Sequence, residues 1–138
     1  MKLVIDTNIL IAALIKNSTT RKILSHPEME FFVPEFIFEE VEKYHSEIQE
    51  KSGLSQNEFG LLFETLKQKL ILVSDEEIQH KEEAQKVMDS IDLKDSIFIA
   101  LALSTHNEGI WSEDKHFEQQ NRVKVWKTKD ILKYLDIE

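Results

Sequence analysis

The alternation of apolar and polar stretches along the chain predicts a series of buried strands, each followed by one or two helices. Residues 2–5 form a short run rich in β-branched side chains, and residues 9–15 form a second apolar run after the polar interruption Asp6-Thr7-Asn8. A short apolar run is typical of a buried strand, and the longer run after it is typical of a buried helix. The chain therefore opens with a strand that turns directly into a helix at Asp6.

Four further strands are predicted at residues 31–33, 70–73, 110–112 and 123–126. Ser55 and Glu58 have the spacing of a capping box, and the alanines within residues 97–103 favour a buried helix over a strand there. The predicted later helices run from Ser18 to about His26, from Pro34 to about Lys51, from Ser55 through Lys69, from Asp75 to about Met88, from Asp92 to about Gly109, and from Thr128 through Leu135.

This order of elements predicts an α/β fold in a single domain, residues 1–138, with a five-stranded and mainly parallel sheet and helices on both faces. In the doubly wound strand order 3-2-1-4-5, the first and fourth strands are neighbours and the connection reverses between them. Ligands of such folds bind beyond the carboxyl ends of the strands at this switch point. Asp6 and Asp114 are therefore predicted to meet there.

The composition of the chain excludes several classes of protein. The chain has 138 residues and no cysteine, which excludes disulfides and thiolate metal sites. The longest apolar run, residues 97–103, is too short to span a bilayer, and the chain enters its first strand without a basic leader. We therefore expect a cytoplasmic protein without a membrane segment.

The charge is unevenly distributed. The formal net charge of −9 argues against attraction of nucleic acid to the whole surface. From Lys115 to Lys133, however, basic residues outnumber acidic ones, and this segment is either a solvated face or a surface that binds phosphate.

Asp6 and Asp114 each have a structural and a functional interpretation. Asp6 could serve only as a helix cap, although Asn8 places a second polar oxygen at the same strand end. Asp114 follows the fourth strand and could only start a turn. The functional interpretation depends on the topology that brings the two strand ends together.

Glu40 and Asp95 are the other two candidates. Glu40 borders the apolar stripe of its helix, while Glu39 lies farther round and is the second choice. Asp95 is three residues after the cap Asp92, so it could complement the helix dipole, but it shares a face with Phe98. An ionised carboxylate directed at such an interior needs a partner or a metal ion.

Converging carboxylates would repel one another and raise one another's pKa values unless a cation lay among them. Oxygen ligands without sulfur, and without a histidine pair at zinc spacing, favour Mg²⁺ or Mn²⁺. Such ions neutralise a phosphodiester, activate water and stabilise the leaving oxygen. The four acids therefore predict a metal-dependent site for phosphodiester cleavage.

The ordered set of these motifs resembles the PIN-domain family. The motifs are Val4-Ile5-Asp6-Thr7-Asn8, Glu40-Val41, Asp95 before the apolar helix, and Trp111-Ser112-Glu113-Asp114-Lys115-His116-Phe117. The resemblance implies a PIN-like, Rossmann-like three-layer sandwich and a Mg²⁺- or Mn²⁺-dependent endoribonuclease. It implies that the metal ligands and catalytic residues are Asp6, Glu40, Asp95 and Asp114.

The resemblance also implies supporting residues and partners. Ser112 matches a hydroxyl that helps the site in family members, Asn8 accompanies Asp6, and His116 stands where many relatives have an acid or asparagine. Many small members are homodimeric toxins of toxin–antitoxin pairs, each blocked by an antitoxin protein. The residues expected to contact RNA phosphates are Lys115, Arg122, Lys124 and Lys127.

Two other functions are compatible with parts of the pattern. In a receiver-like phosphoacceptor domain, Asp75, Ser112 and Lys127 would be the phosphorylated acid, the hydroxyl and the lysine at successive strand ends. That hypothesis leaves Glu40 and Asp95 without a role. A PIN-like domain that binds RNA or protein without cleaving is the third possibility.

Overall fold

The apolar runs of the sequence form a central parallel sheet in a computed structural model that describes residues 1–15 and 18–137. The strands are β1 (Lys2–Ile5), β2 (Glu30–Pro34), β3 (Leu70–Val73), β4 (Ile110–Trp111) and β5 (Val125–Trp126). The helices are α1 (Thr7–Ile15), α2 (Ser18–Leu24), α3 (Phe36–Lys43), α4 (His45–Ser52), α5 (Gln56–Lys67), α6 (Lys81–Met88), α7 (Ser96–Ser104), α8 (Lys115–Glu118) and α9 (Thr128–Tyr134).

The strand order is β3-β2-β1-β4-β5, and every pairing between these strands is parallel. This confirms the predicted fold class and sheet order. Ile5 pairs in register with Trp111, so β1 and β4 end side by side. Among the described residues, no helix is long and apolar enough to cross a membrane.

Successive residues of β1 supply two separate cores because side chains alternate between the faces of a strand. Leu3 and Ile5 belong to a core with α1 to α5 and α9, whereas Val4 belongs to a second core with α6, α7 and Phe117. The sheet is therefore the middle layer of three, as predicted.

The helix predicted from Pro34 to Lys51 is instead two helices, and Pro34 ends β2. Tyr44 lies between α3 and α4 with φ −110° and ψ 20°. Its backbone N–H donates to Val41 O at 3.2 Å. This is an i to i−3 hydrogen bond, which winds the end of α3 more tightly than an α-helix. Hydrophobic periodicity did not predict the break, because Ile37, Val41 and Ile48 remain buried on both sides of it.

The prediction that Asp75 begins a helix is wrong. The Glu77 carboxylate accepts from the Ser74 backbone N–H and hydroxyl, which forms a local turn. Ile78 is then buried in the second core, and α6 begins only at Lys81. A local side-chain hydrogen bond thus replaces the expected helix start.

The apolar stretch 97–103 is helical, as predicted, but the bounds of its neighbours differ. Asp92 accepts from Lys94 N–H and caps a 3₁₀ turn, Leu93–Asp95, that leads into α7. The last helix begins at Thr128 rather than being capped by it, and the Thr128 hydroxyl accepts a hydrogen bond from Trp111 Nε1 at 3.0 Å. The short helix α8 was not predicted.

Candidate active site

The parallel pairing of β1 with β4 brings Asp6 and Ser112 together just beyond the two strand ends. Ser112 Oγ donates to Asp6 Oδ2 at 2.5 Å, and Asp114 N–H donates to Ser112 Oγ at 2.9 Å. Ser112 is fully buried and thus couples the first strand end to the loop that carries Asp114. The structure therefore brings Asp6 close to Asp114 through one serine.

Asp6 caps the first helix and also lies at the predicted site. Its Oδ1 accepts from Ile9 N–H at 2.9 Å, which caps α1, while its other oxygen is bound by Ser112. Asp6 is 4% exposed, and this burial raises its pKa from 3.8 to about 6. The hydrogen bonds from Ser112 and Ile9 oppose the rise, and the charges of Asp114 and Asp95 add to it. A nearby cation would stabilise the ionised form of this carboxyl.

Asp95 reaches the same region from the start of α7. In the described part of the chain, its side chain makes no capping hydrogen bond; it lies 3.2 Å from His116 Nδ1. Burial raises the pKa of Asp95, the His116 hydrogen bond opposes the rise, and the charges of Asp92 and Asp114 add to it. Capping at this point is done by Asp92, which leaves the Asp95 carboxylate directed at the site.

His116 lies among three carboxylates. Its Nδ1 is 3.2 Å from Asp95 Oδ2, 3.4 Å from Asp92 Oδ2 and 3.5 Å from Asp114 Oδ1. Hydrogen bonding to Asp95 and the charge of Asp114 raise the pKa of the imidazole. Asp114 also accepts from His116 N–H at 2.9 Å and thereby caps α8. One short helix thus holds both residues against the start of α7.

A cleft of about 230 Å³ connects the predicted acids. Its lining residues are Asp6, Thr7, Asn8, Ile11, Glu40, Tyr44, Asp95, Phe98 and Asp114. Glu40 reaches the cleft from α3, whereas Glu39 is exposed. All four predicted acids therefore border a single cleft with Asn8. Ser112 and His116 do not line the cleft, but they contact Asp6 and Asp95, respectively.

The predicted basic residues are divided between the two ends of the sheet. Lys115 is exposed beside Asp114, and Lys127 follows the carboxyl end of β5, where it pairs with Glu118 at 3.3 Å. Arg122 and Lys124 precede β5 and line a separate depression with Gly109 at the amino ends of the strands. The structure thus brings Lys115 and Lys127 to the acidic end and not Arg122 or Lys124.

Two residues near the cleft were missed as functional candidates. Asp92 was assigned only a capping role, although its position three residues before Asp95 in a 3₁₀ turn places both beside His116. Helical spacing from Ile37 and Val41 predicts Tyr44 on the apolar stripe, but Tyr44 is 44% exposed and lines the cleft. The break between α3 and α4 has no clear signal in the sequence pattern.

The receiver-like arrangement is not formed. A receiver-type sheet has the order 2-1-3-4-5 with the third strand inside, whereas β3 lies at an edge here. The Asp75 side chain is 80% exposed and pairs with Lys81 at 3.0 Å. It therefore does not face Ser112 and Lys127 as a phosphoacceptor would.

The donor set fits a divalent cation. Carboxylate oxygens from four parts of the chain face one cleft, and two of these carboxyls have raised pKa values that a cation would lower. Asp92, Asp95 and His116 also offer ligand atoms within 4.8 Å of one another. Carboxylates are typical of Mg²⁺ sites, and an added imidazole is accepted more readily by Mn²⁺.

Comparison with known proteins gives a family match. A family model described as PIN domain matches residues 4–136. No curated protein matches the chain. The match includes every residue that lines the cleft.

Proposed function

Because this chain belongs to the PIN domain family, we propose that it is a divalent-metal-dependent endoribonuclease. PIN domains are generally metal-dependent nucleases that act on RNA or DNA. The observation that carries the proposal is the convergence of Asp6, Glu40, Asp95 and Asp114 on one cleft at the switch point of the sheet. All four positions of the resemblance are acidic, which supports catalysis over binding alone.

Asp6, Asp95 and Asp114 are proposed to hold the principal cation, with Glu40 assisting from α3. A bound Mg²⁺ or Mn²⁺ would supply charge neutralisation at the scissile phosphate and a lowered pKa for attacking water. Ser112 is a positioning residue, because its hydroxyl fixes one oxygen of Asp6 and accepts the Asp114 N–H. His116 is a second positioning residue, because its Nδ1 lies 3.2 Å from Asp95 Oδ2 and 3.4 Å from Asp92 Oδ2.

Lys115 and Lys127 are the proposed contacts for RNA phosphates, because both lie at the acidic end of the sheet. Arg122 forms an ion pair with Glu83, at 2.6 Å from Nη2 to Oε1, and Lys124 lies over the Trp126 ring at 4.1 Å. Any phosphate contact of these two residues would be with RNA that extends round to the other end of the sheet.

The proposal extends to the biological role that the resemblance implies for many members of the family. We propose a cytoplasmic, homodimeric toxin of a toxin–antitoxin pair, inhibited when an antitoxin protein covers the cleft. The acidic lining supports a cationic antitoxin segment, because opposite charge favours such an insertion.

The direct test is cleavage of pooled RNA with Mn²⁺, with Mg²⁺, and with EDTA. We expect metal-dependent cleavage by the unmodified protein and at least a 100-fold loss in Asp95→Asn, since a neutral amide binds the cation more weakly. Asp75→Asn is the matched control, because Asp75 is exposed and does not line the cleft. Cleavage by Asp95→Asn at the unmodified rate would refute the role of Asp95. Absence of cleavage with either metal would favour a binding domain.

A further inference from the structure

The cleft has a physical difficulty as an RNA site, since its acidic lining repels the phosphate backbone. Asp6, Glu40, Asp95 and Asp114 all face it, and among residues 1–15 and 18–137 no lysine or arginine lines it. A bound cation would offset the repulsion between the carboxylates and the RNA at one phosphate only. The neighbouring nucleotides therefore need contacts that do not depend on positive charge within the cleft.

Two aromatic residues line the cleft, and they differ in accessibility. Phe98 is 4% exposed and packs against Phe36 and Phe117, with ring centroids 5.8 Å and 6.2 Å away. Tyr44 is 44% exposed. Tyr44 is thus the aromatic ring of this cleft that a ligand can reach.

The break between α3 and α4 explains this exposure. The next residue, His45, turns inward and packs edge-on against Phe59 with centroids 4.9 Å apart, and Ile48 is buried one turn later. In a continuous helix, Tyr44 would follow Ile37 and Val41 on the buried stripe. The break instead leaves the ring at the cleft, while Val41 and Ile48 stay in the core.

The ammonium group of Lys43 lies over the same ring. Lys43 Nζ is 5.5 Å from the centroid of Tyr44, within the range of a cation–π contact. Lys43 is exposed and belongs to the last turn of α3. The ammonium group offers a charge for a phosphate, and the face of the ring that it does not cover offers a surface for the adjoining base.

We propose that Tyr44 is the stacking platform for a base of single-stranded RNA next to the scissile phosphate, with Lys43 contacting the backbone of that nucleotide. The inference rests on the proposed nuclease function and adds a substrate-positioning residue to it. Stacking on an aromatic ring is the usual means of holding an unpaired base, and it works with any base. It adds affinity that the acidic lining does not oppose.

The test measures RNA binding rather than cleavage. The probe is a fluorescein-labelled octauridylate, titrated with Mg²⁺ present against proteins that carry Asp95→Asn to prevent cleavage. Adding Tyr44→Ala should weaken binding by about 5- to 150-fold, whereas Tyr44→Phe should keep it. Tyr134→Ala is the matched control, because Tyr134 is 55% exposed and packs on Trp126, away from the cleft.

Salt dependence separates stacking from charge. Tyr44→Ala should leave the slope of log Kd against log salt unchanged, and Lys43→Gln should reduce it by about 0.7. An octamer with 2-aminopurine should be quenched on binding to proteins with Tyr44 or Tyr44→Phe and remain bright with Tyr44→Ala. Far-UV circular dichroism of each variant reports whether α3 and α4 are intact.

The outcomes distinguish this inference from the proposed function. Equal affinity of Tyr44→Ala and its parent would overturn the stacking platform, even if the unmodified protein cleaves RNA. Binding that depends on Tyr44, in a protein that never cleaves, would keep the platform and refute the nuclease. A loss of affinity as large in Tyr134→Ala as in Tyr44→Ala would also overturn it.

Discussion

Replacing Asp6 with asparagine should stabilise the metal-free protein at neutral pH, although Asp6 is central to the candidate site. Asp6 is 4% exposed, and burial raises its pKa from 3.8 to about 6. The carboxylate is therefore harder to ionise in the folded chain than in the unfolded one. An asparagine at this position has no charge to bury.

The sign and size of the effect follow from proton linkage. Below about pH 3.8 Asp6 is protonated in both states, and its burial costs no ionisation energy. As the pH rises from 3.8 through about 6, the unfolded chain releases this proton first, so folded stability falls. Above that window the full cost is present. At about 1.4 kcal/mol for each pKa unit, the cost is about 3 kcal/mol.

Asparagine recovers most of this energy but not all. Its side-chain oxygen can accept from Ile9 N–H, and its amide can donate to Ser112 Oγ. The Ser112 hydroxyl then loses its acceptor, which costs about 1 kcal/mol. We expect a net gain of about 2 kcal/mol at pH 7.5, or about 8 °C in Tm for a chain of this length.

Urea unfolding in EDTA measures this difference, with fluorescence of the buried Trp111 as the signal. The gain of Asp6→Asn should be near its maximum at pH 7.5 and should disappear near pH 4. Asp75→Asn, at an exposed acid, should stay within about 0.5 kcal/mol of the unmodified protein throughout. Addition of Mn²⁺ should stabilise the unmodified protein and have much less effect on Asp6→Asn.

Two results would refute this reasoning. The first is a destabilised Asp6→Asn at pH 7.5 in EDTA, which would mean that the two hydrogen bonds of Asp6 outweigh its burial. The second is a stability difference that does not vary between pH 4 and pH 7.5, because a cost of ionisation must follow the titration of the group.

Other variants test the supports of the site. Ser112→Ala should lower stability by about 1–3 kcal/mol, because it leaves the Asp114 N–H and one Asp6 oxygen without their partner. It should also raise the pKa of Asp6 further and slow cleavage. Urea unfolding measures the stability, a cleavage assay at matched protein concentration measures the rate, and unchanged stability would contradict these hydrogen bonds. Gly109→Ala should cost at least about 3 kcal/mol, because Gly109 has φ +135° and an added Cβ would lie 2.3 Å from Lys124 O. Its control is Gly60→Ala in α5, where nothing lies within 4 Å and a gain of about 0.5–1 kcal/mol is expected; equal thermal stabilities of the two variants would contradict the strain argument.

Much of the architecture follows from local patterns. A short apolar run that ends in Asp6 and continues into a longer apolar run predicts a strand, a turn and a helix, and the structure has β1 and α1 there. The repetition of this unit predicted the parallel sheet and its order, because long crossovers allow few topologies. The prediction that Asp6 and Asp114 would be close came from the same topology, and the structure links them through Ser112.

The errors occurred where a nearby side chain or a local break changed the backbone. Glu77 forms a turn with Ser74 where Asp75 was expected to start a helix. Tyr44 ends α3 although the apolar periodicity continues past it. Periodicity reports which face of an element is buried, and it does not report whether the backbone is continuous.

The sequence by itself determined the five strands, most of the helices and the acids at the strand ends, because burial and capping depend on residues close together in the chain. Only the tertiary structure decided that His116 lies among Asp92, Asp95 and Asp114. It also decided that the basic tail is divided between opposite ends of the sheet. These contacts and positions depend on the path of each crossover and on the direction of each side chain, and local hydrophobic periodicity predicts neither.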